Sequence, residues 1–410
     1  MSTQPASETE SPFRVPSFRR YWTTQLCAIF ASQMQGVAIG WQVYDMTQRP
    51  LDLGFVGLAQ FLPVMALALV AGQVADRYNR QRILVGCLLL QILCAALLLT
   101  LTVVGNTEVL WIFGVLALAG TARAFEFPAT AALLPNLVVT RQFASAAALT
   151  SSARQAASIV GPAIGGFLYA VGPTVVYGVC VVLLMIAAIQ ACFIVLRRTA
   201  VAPKAVNWAS VVAGIGFIRS HPIVLGAISL DLFAVLLGGA TALLPIYARD
   251  ILHVGPWGLG LLRGAPAIGA LSMAVLLAAR PIHSRIGRSL FITVGVFGLA
   301  TVGFALSRTI WLSMVMLIVL GASDMVSVVI RRVLVQVFTP DEMRGRVSAV
   351  ESVFIGASNE LGEFESGVTA AWFGVVPAAV LGGVGTLGIV VFWSRLFPQL
   401  RHVDTLEEPG

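Results

Sequence analysis

Apolar stretches of about 20 residues, separated by short polar segments rich in arginine, run along almost the whole chain. A bilayer's hydrocarbon core is about 30 Å thick, a depth that about 20 helical residues cross. The pattern therefore predicts spanning helices at 18–43, 53–75, 83–104, 109–131, 144–170, 174–196, 223–246, 257–279, 289–306, 309–330, 348–372 and 375–396, twelve in all. The longest connector, 197–222, lies at the centre and has room for a short amphipathic helix on the membrane surface. The expected organisation is an all-α membrane protein of two six-helix bundles. A tail at 1–17 precedes a bundle at 18–196, the linker, a second bundle at 223–396 and a tail at 397–410.

Composition excludes the soluble alternative. Of 410 residues 58% are hydrophobic and 11% charged, whereas soluble domains carry about 25% charged residues. The chain has too few charges to build a polar shell. A net charge of +7 would fit a nucleic-acid partner, but the arginines fall in short clusters between apolar runs and Lys204 is the single lysine. That distribution is a topology signal, so no nucleic acid is expected. Arg14, Arg19, Arg20, Arg77, Arg80, Arg82, Arg141, Arg197, Arg198, Lys204 and Arg219 fall on one side, with Arg280, Arg285, Arg288, Arg331, Arg332, Arg344, Arg346, Arg395 and Arg401. Only Arg49, Arg249 and Arg308 fall on the other. The bias places both termini of a multi-pass membrane protein in the cytoplasm. The polar start lacks the order of a cleaved signal peptide. Cys27, Cys87, Cys94, Cys180 and Cys192 are odd in number and sit in apolar segments, and the four histidines are scattered, so neither disulfides nor a metal site is expected.

Charge inside the spans is what calls for chemistry. Arg123, Glu126, Arg154, Asp231, Arg263, Asp324, Glu360, Glu363 and Glu365 all fall within predicted helices. Facing lipid would cost each a few kcal/mol or more, so they should face one another or a wet cavity. Arg123 and Glu126 share a helix face, and a local pair is the simplest expectation. Arg154 lies near mid-membrane, where it could bind an anionic substrate or clamp a glutamate. In NELGEFESG (359–367), Glu360 and Glu363 are three apart on one side, while Glu365 stands about 140° round from Glu360. The pair would not readily ionise together, which makes a shared proton a natural consequence.

The chain also resembles itself. Pro63 and Gln60 lie over Pro266 and Arg263. AGTARAF (119–125) lies over LGASDMV (320–326), and GPAIGG (161–166) over GEFESG (362–367). Two six-span halves related by duplication, as in alternating-access transporters, are the reading these matches support.

AGQVADRYNRQR (71–82) supplies Gly72, Asp76, Arg77, Arg80 and Arg82 between the second and third spans. By itself it reads as a basic membrane loop whose glycine allows close helix approach. In pattern and position it resembles the corresponding loop of the major facilitator superfamily. Asn79 replaces the usual glycine, a mild departure because asparagine tolerates a left-handed turn. The resemblance implies a cytoplasmic gate at these residues. The second-half loop keeps Arg285, Gly287 and Arg288 but has no acid at the matching place. Gly161, Pro162, Gly165 and Gly166 form a helix-packing motif that resembles the antiporter signature of exporters in the superfamily, with Ala157 for its leading glycine.

RAFEFPATAALLPNLV (123–138), TPDEMRGRVSAVESVF (339–354) and ELGEFESG (360–367) together resemble the branch of enterobactin exporters and transmembrane secretion effectors. The resemblance implies a secondary carrier of a bacterial inner membrane, not an enzyme, without cofactor. It would export an amphipathic small molecule, siderophore-like or drug-like, by proton antiport among membrane lipids and as a monomer. Glu360, Glu363, Glu365, Asp324 and Asp231 are then candidates for proton coupling or gating, and Arg123, Glu126, Arg154 and Arg263 for substrate binding or charge balance. A lysophospholipid flippase on the same scaffold is the alternative. A sensor or membrane enzyme is more distant, since no nucleophile–histidine pair is apparent and the tails are short.

Overall fold

The computed structural model describes residues 11–105, 108–196, 208–282 and 284–404, and their regular structure is all helical. The expectations for residues 1–10, Arg197, Arg198, Lys204, His283 and 405–410 lie outside the described residues, as does the side chain of Asp76. Helices α1 (Pro16–Thr47), α2 (Pro50–Arg77), α3 (Arg80–Val104), α4 (Val109–Leu137), α5 (Thr140–Val171) and α6 (Pro173–Cys192) precede the linker. After it come α7 (Trp208–Ser220), α8 (Pro222–Leu237), α9 (Leu244–Ile246), α10 (Gly255–Ala279) and α11 (Ile286–Leu306). Helices α12 (Ile310–Val337), α13 (Asp341–Phe373), α14 (Val375–Leu396) and α15 (Pro398–Arg401) complete the chain.

Local chemistry sets the helix ends. Proline opens α1, α2, α6 and α8, where its missing N–H has no intrahelical partner to lose. Gly105 and Gly374 close α3 and α13 at positive φ. Asn79 does not take the left-handed turn that asparagine tolerates. Its φ is −63°, and its side chain accepts from the backbone N–H groups of Gln81 and Arg82 as the N-cap of α3. The stretch predicted as one span at 223–246 breaks after Leu237, at Gly238 and Gly239, into a 3₁₀ turn, α9 and a π-helical turn, Tyr247–Ile251. The linker does hold a short helix, α7, which packs on α13 and α8.

Nine helical stretches among the described residues are long and apolar enough to cross a membrane. Helices α1, α5 and α13, of 32, 32 and 33 residues, fall outside that set. Their apolar runs are interrupted by Gln25, Gln33 and Gln35, by Arg154 and Gln155, and by Glu351, Glu360, Glu363 and Glu365. These helices are less apolar because they line the interior.

Helices α1 to α6 pack on one another, as do α8 and α10 to α14, and two seams join the sets: α2 with α13, and α5 with α10. Glycine permits both. A Cβ on Gly166 would stand 3.0 Å from Gly260 Cα, and one on Gly367 would stand 3.0 Å from Gly54 Cα. The same two motifs seat α5 and α13 on their own sets. A Cβ on Gly161 would meet Gln33 of α1 at 2.8 Å, and one on Gly362 would meet the Val235 carbonyl of α8 at 2.9 Å. Positions 201 residues apart thus make equivalent contacts. Replacing Gly165 with valine is expected to cost about 1–3 kcal/mol, because a Cβ there would lie 2.8 Å from Met34 Cα, in backbone that cannot step aside. A lowered melting temperature of the purified protein in detergent checks this.

Candidate functional site

Between the two sets of helices lies a cavity of about 430 Å3. Arg123 of α4, Arg263 of α10 and Glu360 and Glu363 of α13 supply its charge, and Gln33, Gln35, Gln60 and Gln91 add amides. Two lobes share walls with it. One, of about 350 Å3, is lined among the described residues by α1, α3, α4 and α5 and holds Arg123, Glu126 and Arg154. The other, of about 380 Å3, holds Gln155, Asp324, Asn359 and Glu363. The interior is therefore polarised. Arginine dominates the lobe in the first set of helices, and carboxylates dominate the lobe toward the second.

The glutamate pair is built by α13 and accommodated by α2. Glu360 and Glu363 both reach Gly57, where an added Cβ would lie 3.0 Å from Oε2 of each. Glu365 points elsewhere and accepts a 2.6 Å hydrogen bond from the Thr369 hydroxyl. Arg263 is accommodated in the same way by α1, its Nη1 3.0 Å from where a Gly36 Cβ would stand. Gly57 and Gly36 were not singled out in the sequence, since their role depends on which helix faces which. The glutamines could have been found there, because an amide in an apolar span is itself a signal.

The local Arg123–Glu126 pair is not formed. Arg123 Nη2 donates to Ser32 Oγ at 2.8 Å, and Glu126 Oε2 accepts from Gln91 Nε2 at 2.6 Å. Both partners lie on other helices, which outcompete the i, i+3 neighbour. Arg154 is exposed to the first lobe.

Asp231 lies away from the central cavity and is ion-paired with Arg331. The arginine distribution assigned Arg331 to a loop; instead it is inside α12, 3% exposed, with its Nε 3.3 Å from Glu351 Oε1. This triad ties α8, α12 and α13 together toward the arginine-rich end. Of the loop motif, Arg80 Nη1 donates to the Ala132 carbonyl of α4 at 3.3 Å. Gly72 makes no close helix approach, for nothing lies within 4 Å of where its Cβ would be. At the opposite end, Arg249 Nη1 pairs with Asp45 Oδ1 at 2.8 Å while the Tyr44 hydroxyl donates to Asp250. Among the described residues no group of three histidine, cysteine or acidic side chains could hold a metal ion, and the five cysteines are free.

The model of the transmembrane secretion effector family matches residues 7–408. The chain belongs to that family, within the major facilitator superfamily. It is 26% identical over 413 residues to the enterobactin exporter EntS of Escherichia coli strain K12, covering 94% of this chain and 93% of that one. In fold it is similar to a bacterial homologue of the human lysosomal transporter Spinster, solved inward-facing and occupied, at a TM-score of 0.74 and 13% identity. That match covers 98% of this chain and 100% of that one. A bacterial homologue of the iron transporter ferroportin, inward-facing, gives 0.69 at 16% identity over 92% and 98%. The protein is thus a multi-pass membrane carrier that moves small molecules by alternating access.

The Asp231–Arg331–Glu351 triad is expected to be structural. Arg331→Met strands two buried carboxylates and should cost about 3–5 kcal/mol. Pairing it with Asp231→Asn and Glu351→Gln should restore much of the loss, as measured by thermal unfolding in detergent.

Proposed function

We propose that the chain is an exporter of twelve spans in two six-helix halves, residues 18–196 and 223–396, with both termini in the cytoplasm. It moves an amphipathic small molecule outward in exchange for protons. The observation that carries this reading is the polarised interior: a cavity between helices of both sets, basic toward α4 and α5 and acidic toward α12 and α13. Such a division gives a charged substrate and a proton separate seats within reach of one conformational change. The equivalent glycine contacts at 161 and 362, and at 166 and 367, support the two halves. The similarity to an enterobactin exporter supports export, and a siderophore-like or drug-like cargo, over import.

The seams support an assignment of state. The contacts between the two sets run from Gly54 with Gly367 to Gly57 with the glutamate pair, and from Gly166 with Gly260 to Gln155 with Ala267. Toward the arginine-rich end, Ser151, Ser152 and Arg154 of α5 and Ser352 and Val353 of α13 are exposed. With the arginine-rich end in the cytoplasm this is the inward-facing state, and the Tyr44–Asp45–Arg249–Asp250 cluster is the outer latch.

Glu360 and Glu363 are the proton-coupling pair in this reading, aided by Asp324 of the acidic lobe. Glu365, bonded to Thr369, and Asp231, bonded to Arg331, serve helix placement. In proteoliposomes Glu363→Gln should abolish substrate-coupled proton flux while leaving substrate binding; unchanged coupled flux would remove Glu363 from the mechanism. Cysteines at Asp45 and Arg249 joined by a short bis-methanethiosulfonate linker should stop transport, and reduction should restore it. Undiminished transport by the cross-linked protein would show that this end does not open.

A further inference from the structure

The lobe lined by α1, α3, α4 and α5 has donors that the protein itself does not use. Arg154 has no hydrogen-bonded or ion-paired partner among the described residues, although it lines the lobe. Gln25 of α1 is 3% exposed, lines the same lobe, and its Nε2 has no acceptor. Nearly all buried polar groups in proteins find a partner, so a buried amide N–H facing a cavity marks a place where an acceptor is to be supplied. Other groups of the lining are already engaged. Arg123 gives one donor to Ser32, and Glu126 accepts from Gln91. The Thr130 hydroxyl donates to the Glu126 carbonyl, and its own carbonyl accepts from the Tyr21 hydroxyl.

The charge count points the same way. Two guanidinium groups and one carboxyl line this lobe. Arg154 is exposed to the lobe, so its charge is held open to whatever enters. Water could satisfy Gln25, but water cannot neutralise Arg154. A flat anionic group could do both, because guanidinium presents parallel N–H donors that match two oxygens. Phe127, 71% exposed and part of the lining, offers an aromatic wall beside them.

We infer that this lobe is a binding site for one oxyanionic, aromatic-linked group of the cargo, a carboxylate or a comparable monoanion. Arg154 and Arg123 bind its charge, and Gln25 is a neutral donor to one oxygen. The inference deepens the export reading and rests on it, since it names the chemical class of what is carried. It also separates the arginines: Arg263 belongs to the seam beside the glutamate pair and has no part in this site.

The test uses the full chain purified in detergent, with benzoate, benzamide and benzylamine as probes that share a ring and differ in head charge. Ligand that binds the folded state raises its melting temperature with concentration, so an apparent affinity can be read for each probe. Benzoate should bind at least about tenfold more tightly than benzamide, and benzylamine should not bind. Arg154→Gln should weaken benzoate at least about tenfold and leave benzamide unchanged, with Arg154→Lys in between. Gln25→Leu should weaken benzoate by less. Equal affinity of the wild-type protein for benzoate and benzamide overturns the site, as does a folded Arg154→Gln protein that keeps full affinity for benzoate. The wild-type comparison stands even where a variant does not fold. Selective benzoate binding by a protein that transports nothing in proteoliposomes would leave the site standing and remove the export reading. Coupled export without any preference for the anionic probe would do the reverse.

Discussion

Charge taken into the low-dielectric interior of a membrane must be paired or kept wet, and most of this structure follows from that requirement. The chain carries few charges, yet several lie at membrane depth. It meets the requirement in two ways. Near the arginine-rich end, Arg331 is closed in between Asp231 and Glu351, and three helices are fixed by one buried network. Around the central cavity, Arg154, Arg263, Glu360, Glu363 and Asp324 face space in place of partners, and Arg123 bonds only the neutral Ser32. The first arrangement makes a rigid joint, since breaking it strands a charge. The second leaves charges whose partners can change, which a carrier needs.

Glycine decides where the charged side chains can lie. The seams between the two sets of helices close to backbone contact at Gly166 with Gly260 and at Gly54 with Gly367. One turn further along α2, Gly57 leaves room for two carboxyl groups, each of which an added Cβ would approach to 3.0 Å. Gly36 does the same for the Arg263 guanidinium. Close packing and the placement of charge are therefore one problem on the same helices. That is also why α1, α5 and α13 are the long helices with too many polar residues to pass as plain membrane spans.

Several parts of this arrangement were legible along the chain. The apolar periodicity located most of the long helices, with ends off by up to seven residues and without the break after Leu237, because bilayer thickness fixes a length that composition then reveals. The division of NELGEFESG into a pair and a single glutamate followed from the angular step of a helix, and the cavity receives the pair while Thr369 bonds Glu365. Other parts were not legible. Arg123 and Glu126, neighbours on one face, each bond to a different helix. Arg331 looked like a loop arginine because it stands near a helix end beside Arg332, yet it is buried. Asn79 could have been a turn residue or a cap, and the start of α3 gave it two N–H groups to accept from.

The sequence by itself determined that this is a helical membrane protein with charge set inside it, and most of the residues that carry that charge, though not Arg331 or Glu351. Chain-local physics is enough for that: hydrophobic length, helical angle and the cost of a charge in hydrocarbon. Only the tertiary structure decided which charges neutralise each other and which face the cavity. That choice depends on distances between helices far apart in sequence, such as the 100 residues between Asp231 and Arg331, and on glycines whose meaning is set by the helix across from them. The division into a basic lobe and an acidic lobe exists only once α4 and α5 have come together on one side and α12 and α13 on the other.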